Sequence, residues 1–314
     1  MNERAYRKFL RHRLGQSSWS LMVYWLILNA SVYLIGMADL MLYRLRSGVS
    51  DPEALLERLS GNGWGYFLAA AVGLLILRLW KGREFCRVRL FQERHIMTPK
   101  NFLTILCVFA GGQMVFQLVT GILESLFNVF GLSILESLNT VSTDTPSMYL
   151  YAGILAPITE ELLFRGLILR TMEPFGKKFA IFTSAFLFGM FHGNLPQAPF
   201  AFAVGLVLGY TAMEYSIGWS MALHMFNNLI LSDLLTRLMS PLPEMFANAI
   251  QGWVILLLSV AGLVILLKRR REIAAYFRRG RMDGTCVRCF FTAPGTVVFL
   301  ILMAVNMVLS VTKL

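Results

Sequence analysis

The feature that most limits this chain is a succession of apolar runs, each near the roughly 17 to 25 residues that a helix needs to cross a hydrocarbon layer. They fall at residues 19–43, 64–80, 102–122, 148–170, 179–195, 199–213, 217–235, 249–267 and 292–311. With 56% hydrophobic and 15% charged residues, the chain has too few polar groups to cover a water-soluble domain of its length. Backbone amides in lipid find no water, so the runs must satisfy themselves as helices. The expected fold is an all-α, polytopic transmembrane helix bundle of about nine spans. The first run is too long for a signal-peptide core and is followed by no small-x-small cleavage site, so it reads as an uncleaved anchor. Only the region of Pro196 and Pro199 separates the fifth run from the sixth. A turn there needs protein or a water-filled cavity around it.

The basic residues give these spans an orientation, because short cytoplasmic loops collect Lys and Arg. Nine alternating spans with the N-terminus inside put 24 of the 29 basic residues in the cytoplasm. The loop 123–147 has no Lys or Arg and carries Glu124, Glu136 and Asp144, as an external loop should. Within it, Leu123, Leu126, Phe127 and Phe130 have helical spacing and are expected along the outer interface. The net charge of +11 is explained by topology and anionic lipid headgroups. The basic residues flank spans instead of forming one patch, which argues against a nucleic-acid partner. Cys86, Cys286 and Cys289 fall in cytoplasmic segments and Cys107 in a span, so no disulfide framework is expected. Cys286 and Cys289 have half of a zinc-ribbon spacing and read as free thiols or juxtamembrane acylation sites. The organisation reads as an N-terminal extension (1–101) with two spans and a basic connector, a polar-bearing membrane core (102–235), and two closing spans around a basic loop (236–314). A multi-pass protein of a bacterial plasma membrane is expected.

Ionisable groups inside a bilayer cost a few kcal/mol or more each and usually face an interior or a cavity. Here they are Asp39, Glu160, Glu161, His192, His224 and Asp233, with Asn227 and Asn228 as neutral companions. Asp39 and Asp233 lie near span ends and read as interfacial carboxylates. The others converge in depth. At 1.5 Å per residue, Glu160 lies roughly 18 Å below the outer start of its span and His192 about 20 Å from the inner start of its own. Glu161 and Arg165 are spaced to pair on one helix face, which spares the Arg an unpaired charge in low dielectric. Glu160 points about 100° away from Glu161, towards a cavity. His224 and Asn228 share a face, and Asn227 reads as a packing contact. Gly189 with Gly193, and Gly205 with Gly209, have the spacing that lets helices approach closely.

A buried carboxylate can take a proton from water, with one imidazole sharing the task. A second imidazole and an amide N–H can donate to an oxyanion. No Ser, Cys or Thr beside a base is evident, so direct attack by water fits better than an acyl-enzyme. A proton-coupled transporter would use the same titratable groups, but no inverted repeat or paired broken helix is visible.

In chain order, Glu160-Glu161-x-x-x-Arg165, Phe188-x-x-x-His192 and His224-x-x-x-Asn228 resemble the CPBP family. It comprises the CAAX prenyl endopeptidases of the Ras-converting type and the bacteriocin-processing, or Abi, proteins. The resemblance covers about residues 148–232. It implies that Glu160 activates water together with His192, that His224 and Asn228 form the oxyanion site, and that Glu161 and Arg165 order it. The family is often labelled metalloprotease. Two His, a Glu and an Asn can hold one zinc, but no HExxH spacing occurs, so hydrolysis without a cofactor is the reading taken here. The implied partners are membrane lipids and a membrane-associated or lipidated peptide. A non-catalytic scaffold or bacteriocin immunity protein is the alternative, in which the polar cluster is a satisfied core network.

Overall fold

The computed structural model describes residues 2–48, 55, 58–59, 61–84, 90–138, 145–278 and 282–313. Cys86, Asp144 and the side chains of Glu136 and Asp233 lie outside the described residues. The described chain is almost wholly helical. Helix α1 (Glu3–Ser47) is followed by α2 (Trp64–Glu84), α3 (Pro99–Asn128) and a two-residue strand β1 (Leu132–Ser133). Helix α4 spans residues 146–172 and is followed by α5 (Lys177–Phe191), α6 (Gln197–Glu214) and α7, residues 217–239. Helices α8 (Glu244–Lys268), α9 (Arg270–Arg278), α10 (Gly284–Phe291) and α11 (Pro294–Leu309) lead to β2 (Thr312–Lys313).

Local chemistry sets the helix starts. The side chains of Asn2, Thr98, Thr145, Ser216 and Asp283 each accept a backbone N–H of the first turn that follows, which satisfies amides that have no intrahelical partner. Pro99 and Pro146 stand in first turns, where the missing N–H costs nothing.

Among the described residues three helices are long and apolar enough to cross a membrane: Glu3–Ser47, Pro99–Asn128 and Glu244–Lys268. The pair α10 and α11, bent by 59°, makes a fourth if taken as one span. The other expected spans are short or broken: α5 has 15 residues, and α4 and α7 are interrupted by π-helical stretches. Helix α1 has 45 residues, roughly 68 Å at 1.5 Å per residue, so the basic leader is part of the same helix as the first apolar run. Leu123 to Phe127 prolong α3 instead of forming an interfacial segment of their own.

Contacts between connections fall at two ends of the bundle. At one end Arg58 pairs with Asp39 at 2.8 Å, Ser147 Oγ accepts from Gly63 N, Arg237 lies 4.7 Å from the Tyr149 ring, and β1 pairs antiparallel with β2. At the other, Arg94 N donates to Tyr215 O, Tyr276 donates to Glu214 at 3.1 Å, and Glu173 binds both Arg94 and Arg170. Burial pushes the Glu173 carboxyl up, but the Arg94 hydrogen bond and the Arg170 charge outweigh it and hold the group below the usual carboxylate range. Cys286 and Cys289 are buried free thiols, with Cys289 Sγ 3.8 Å from Arg7 O of α1. Packing against α1, not exposure to acylation, is their observed setting.

The most extensive pairings are α5 with α6, α3 with α8 and α1 with α2. Missing side chains make them possible. A Cβ on Gly189 would lie 2.6 Å from Ala198 O, and one on Gly262 only 2.2 Å from Cys107 O. Gly193 plays a different part from the expected helix contact: at φ +65° it turns the chain out of α5, a conformation that glycine reaches without steric cost. Gly262→Ala is therefore expected to force α8 from α3 and lower stability by about 1–3 kcal/mol, measured by denaturant unfolding in detergent. Gly252→Ala, with open space around its Cβ, is the control and should stay within about 0.5 kcal/mol.

Candidate active site

Glu160 and Glu161 end the α-helical turn Ala156–Glu161, which is set between the π-helical stretches Tyr151–Leu155 and Leu162–Leu169 of α4. A π-helix bonds i to i+5, so its turns are wider and the residues that follow are rotated from their α-helical positions. The two neighbouring carboxylates meet opposite fates. Glu161 is fully buried and Glu160 has a side chain 22% exposed.

Glu161 is saturated. Its Oε1 accepts from Arg165 Nη1 at 2.8 Å and lies 3.1 Å from His224 Nδ1, and its Oε2 accepts from Ser220 Oγ at 2.6 Å. Arg165, also fully buried, donates through Nη2 to Gly205 O at 3.1 Å and lies 4.5 Å from the Phe188 ring centroid. Its Nε has no partner among the described residues. The ion pair thus joins α4, α6 and α7, with a cation–π contact to α5. Since a carboxylate only accepts, the proton shared with Glu161 sits on His224 Nδ1.

Glu160 accepts no hydrogen bond among the described residues. His224 Nε2 lies 3.8 Å from Glu160 Oε2. His192, at the end of α5, has Nδ1 2.9 Å from Phe188 O. A carbonyl there requires Nδ1–H and leaves Nε2 with a lone pair. Glu160 and His192 interact electrostatically, as do His192 and His224. The Phe188 ring packs edge-on to both imidazoles, at 4.9 and 5.8 Å. The imidazole nearest to Glu160 is that of His224.

Asn228 lies in the π-helical stretch Phe226–Leu234 of α7. Its Nδ2 donates to Ala152 O at 3.0 Å and its Oδ1 accepts from Asn227 Nδ2 at 2.9 Å. Asn227 in turn accepts from Gln113 of α3 at 2.7 Å. The π-helical stretch that holds Asn228 begins between it and His224. Asp39 is the interfacial, ion-paired carboxylate expected from its position.

Three participants were missed in the sequence. Ser220 precedes His224 by one turn and continues the face marked by His224 and Asn228, a spacing that could have exposed it. Gln113 and Tyr24 carried no such signal. Tyr24 stacks on Phe191 at 6.0 Å, fits the space left by Gly73, and lies within electrostatic reach of Glu160. It also lines an apolar groove of about 280 Å³ between α1, α2 and α4, with Trp19, Val23, Leu77, Leu163 and Leu167.

Among the described residues no group of three or more His, Cys, Asp and Glu side chains is arranged to hold a metal ion. Ser220→Ala should leave Glu161 Oε2 without a donor in a dry core and lower stability by about 1–3 kcal/mol, measured by denaturant unfolding in detergent.

Comparison with curated proteins and with solved structures found no match. A family model described as Rce1-like, type II CAAX prenyl endopeptidase, matches residues 142–230. That segment holds every residue of the three ordered motifs together with Ser220. The likeness to Rce1-like CAAX prenyl endopeptidases thus covers the helices that carry Glu160, His192 and His224.

Proposed function

We propose that this chain is an intramembrane endopeptidase that hydrolyses a peptide bond of a membrane-associated or lipidated peptide. The observation that carries the proposal is the contrast between the adjacent carboxylates: Glu161 is fully hydrogen-bonded, while Glu160 is partly exposed and accepts no hydrogen bond among the described residues. A purely structural network would satisfy both.

In the mechanism, a water held between Glu160 and His192 Nε2 gives a proton to the Glu160 carboxylate as its oxygen attacks the peptide carbonyl carbon. His224, as imidazolium, donates Nδ1–H to Glu161 and Nε2–H to the oxyanion, with an N–H of Asn228 as the second donor. Collapse of the tetrahedral intermediate breaks the C–N bond, and Glu160 returns its proton to the leaving nitrogen. Arg165 balances the charge of Glu161 and so fixes the imidazole. The groove beside Tyr24 would take an apolar chain on the substrate. The proposed topology is nine alternating spans with the N-terminus inside, supported by the grouping of connection contacts at two ends. The π-helical stretch Leu162–Leu169 of α4 is tolerable at membrane depth because it is buried in protein.

The test is turnover in proteoliposomes of a fluorescence-quenched peptide ending in a farnesylated Cys-aliphatic-aliphatic-X sequence, beside the same peptide without the farnesyl group. Glu160→Gln should lower kcat by roughly 10²- to 10⁴-fold with unchanged circular dichroism; wild-type turnover by this variant would refute the assignment. Treatment with a zinc chelator should leave turnover intact. Loss on chelation, restored by zinc, would contradict metal-independent hydrolysis.

A further inference from the structure

The amide of Asn228 is the end of a chain of carboxamides that begins outside the family-matched segment. Gln113 Nε2 of α3 donates to Asn227 Oδ1 at 2.7 Å, Asn227 Nδ2 donates to Asn228 Oδ1 at 2.9 Å, and Asn228 Nδ2 donates to Ala152 O at 3.0 Å. Each link fixes the direction of the next. Because Gln113 gives an N–H, Asn227 must present its oxygen to α3 and its nitrogen to Asn228. Because Asn227 gives an N–H, the oxygen of Asn228 is occupied and its NH₂ group faces the other way. One of those two N–H groups reaches Ala152, in the π-helical stretch just before Glu160.

We propose that Gln113 and Asn227 are positioning residues: they set the orientation of the Asn228 carboxamide so that an N–H, not its oxygen, is offered to the oxyanion. The inference rests on the reading of Asn228 as an oxyanion donor. A carboxamide with its oxygen turned to the oxyanion would repel developing negative charge instead of stabilising it. Side-chain rotation interchanges the two orientations at little steric cost, so the direction must be imposed by neighbours. Bonds in such a chain polarise one another, so it holds its sense. Gln113 is half-buried on α3, where Gly112 allows close approach: a Cβ there would lie 2.6 Å from Val204. From that position the Gln113 amide reaches Asn227 of α7.

The test is a set of variants assayed with the farnesylated quenched peptide in proteoliposomes. Gln113→Leu, which keeps bulk and removes the donor, should lower kcat roughly ten- to a hundred-fold with KM unchanged. Asn227→Asp keeps the acceptor for Gln113 but loses the N–H given to Asn228, and should lose kcat to a similar extent even if Gln113→Leu fails to fold. Gln113→Leu added to Asn228→Ala should cost nothing further. A kcat loss that multiplies in that background, or a KM change alone, would assign Gln113 a structural role and overturn the inference. Full activity of Asn228→Ala would instead refute the oxyanion reading on which it stands, and absence of wild-type turnover would remove both.

Discussion

The buried ion pair of Glu161 and Arg165 is the constraint on which the rest of the site depends. Removing two charges from water costs several kcal/mol per ion, and only good geometry with further hydrogen bonds recovers it. Here the remaining valences are met by Ser220 and His224 on α7, by the Gly205 carbonyl on α6 and by the Phe188 ring on α5. The pair therefore holds four helices in one register. His224 is oriented as a consequence, with one nitrogen tied to Glu161 and the other directed at Glu160.

Glu160 and Glu161 share one α-helical turn, where about 100° between successive residues separates them, and irregular backbone bounds that turn on both sides. Helix α4 alternates between α- and π-helical turns on either side of Glu160, and α7 becomes π-helical just after His224. Such turns persist only where packing over-determines them. The close approach of α5 and α6 through glycines supplies that packing on one side. On the other, the carboxamide chain from Gln113 to Ala152 ties α3, α7 and α4 together.

Much of this was legible in the sequence because lipid enforces simple rules. Apolar runs had to be helices, and ionisable residues within them had to find partners, so the pairing of Glu161 with Arg165 followed from a four-residue spacing. The contrast between Glu160 and Glu161 also followed from helical geometry. What the sequence hid were features that depend on tertiary contact. A π-helical turn has no local signature in residues 226–234, so the bond of Asn228 to Ala152 could not be read from the sequence. Gly193 carries the pattern of a helix-contact residue, yet its positive φ serves a turn. Gln113 looked like an ordinary polar residue in a span, since only the fold brings it to Asn227. Breaks in α4 and α7 also leave, among the described residues, fewer uninterrupted long apolar helices than there are apolar runs in the sequence.

The account's central claim, that the Glu161–Arg165 pair organises the site, is tested most directly by a double-mutant cycle with Glu161→Gln and Arg165→Met, read as unfolding free energy in detergent. Each single change leaves an uncompensated buried charge and should cost about 3–5 kcal/mol. The double variant should cost clearly less than the two together, with a coupling of about 2 kcal/mol or more. Losses that simply add would contradict the claim, because the two side chains would then be contributing to stability independently.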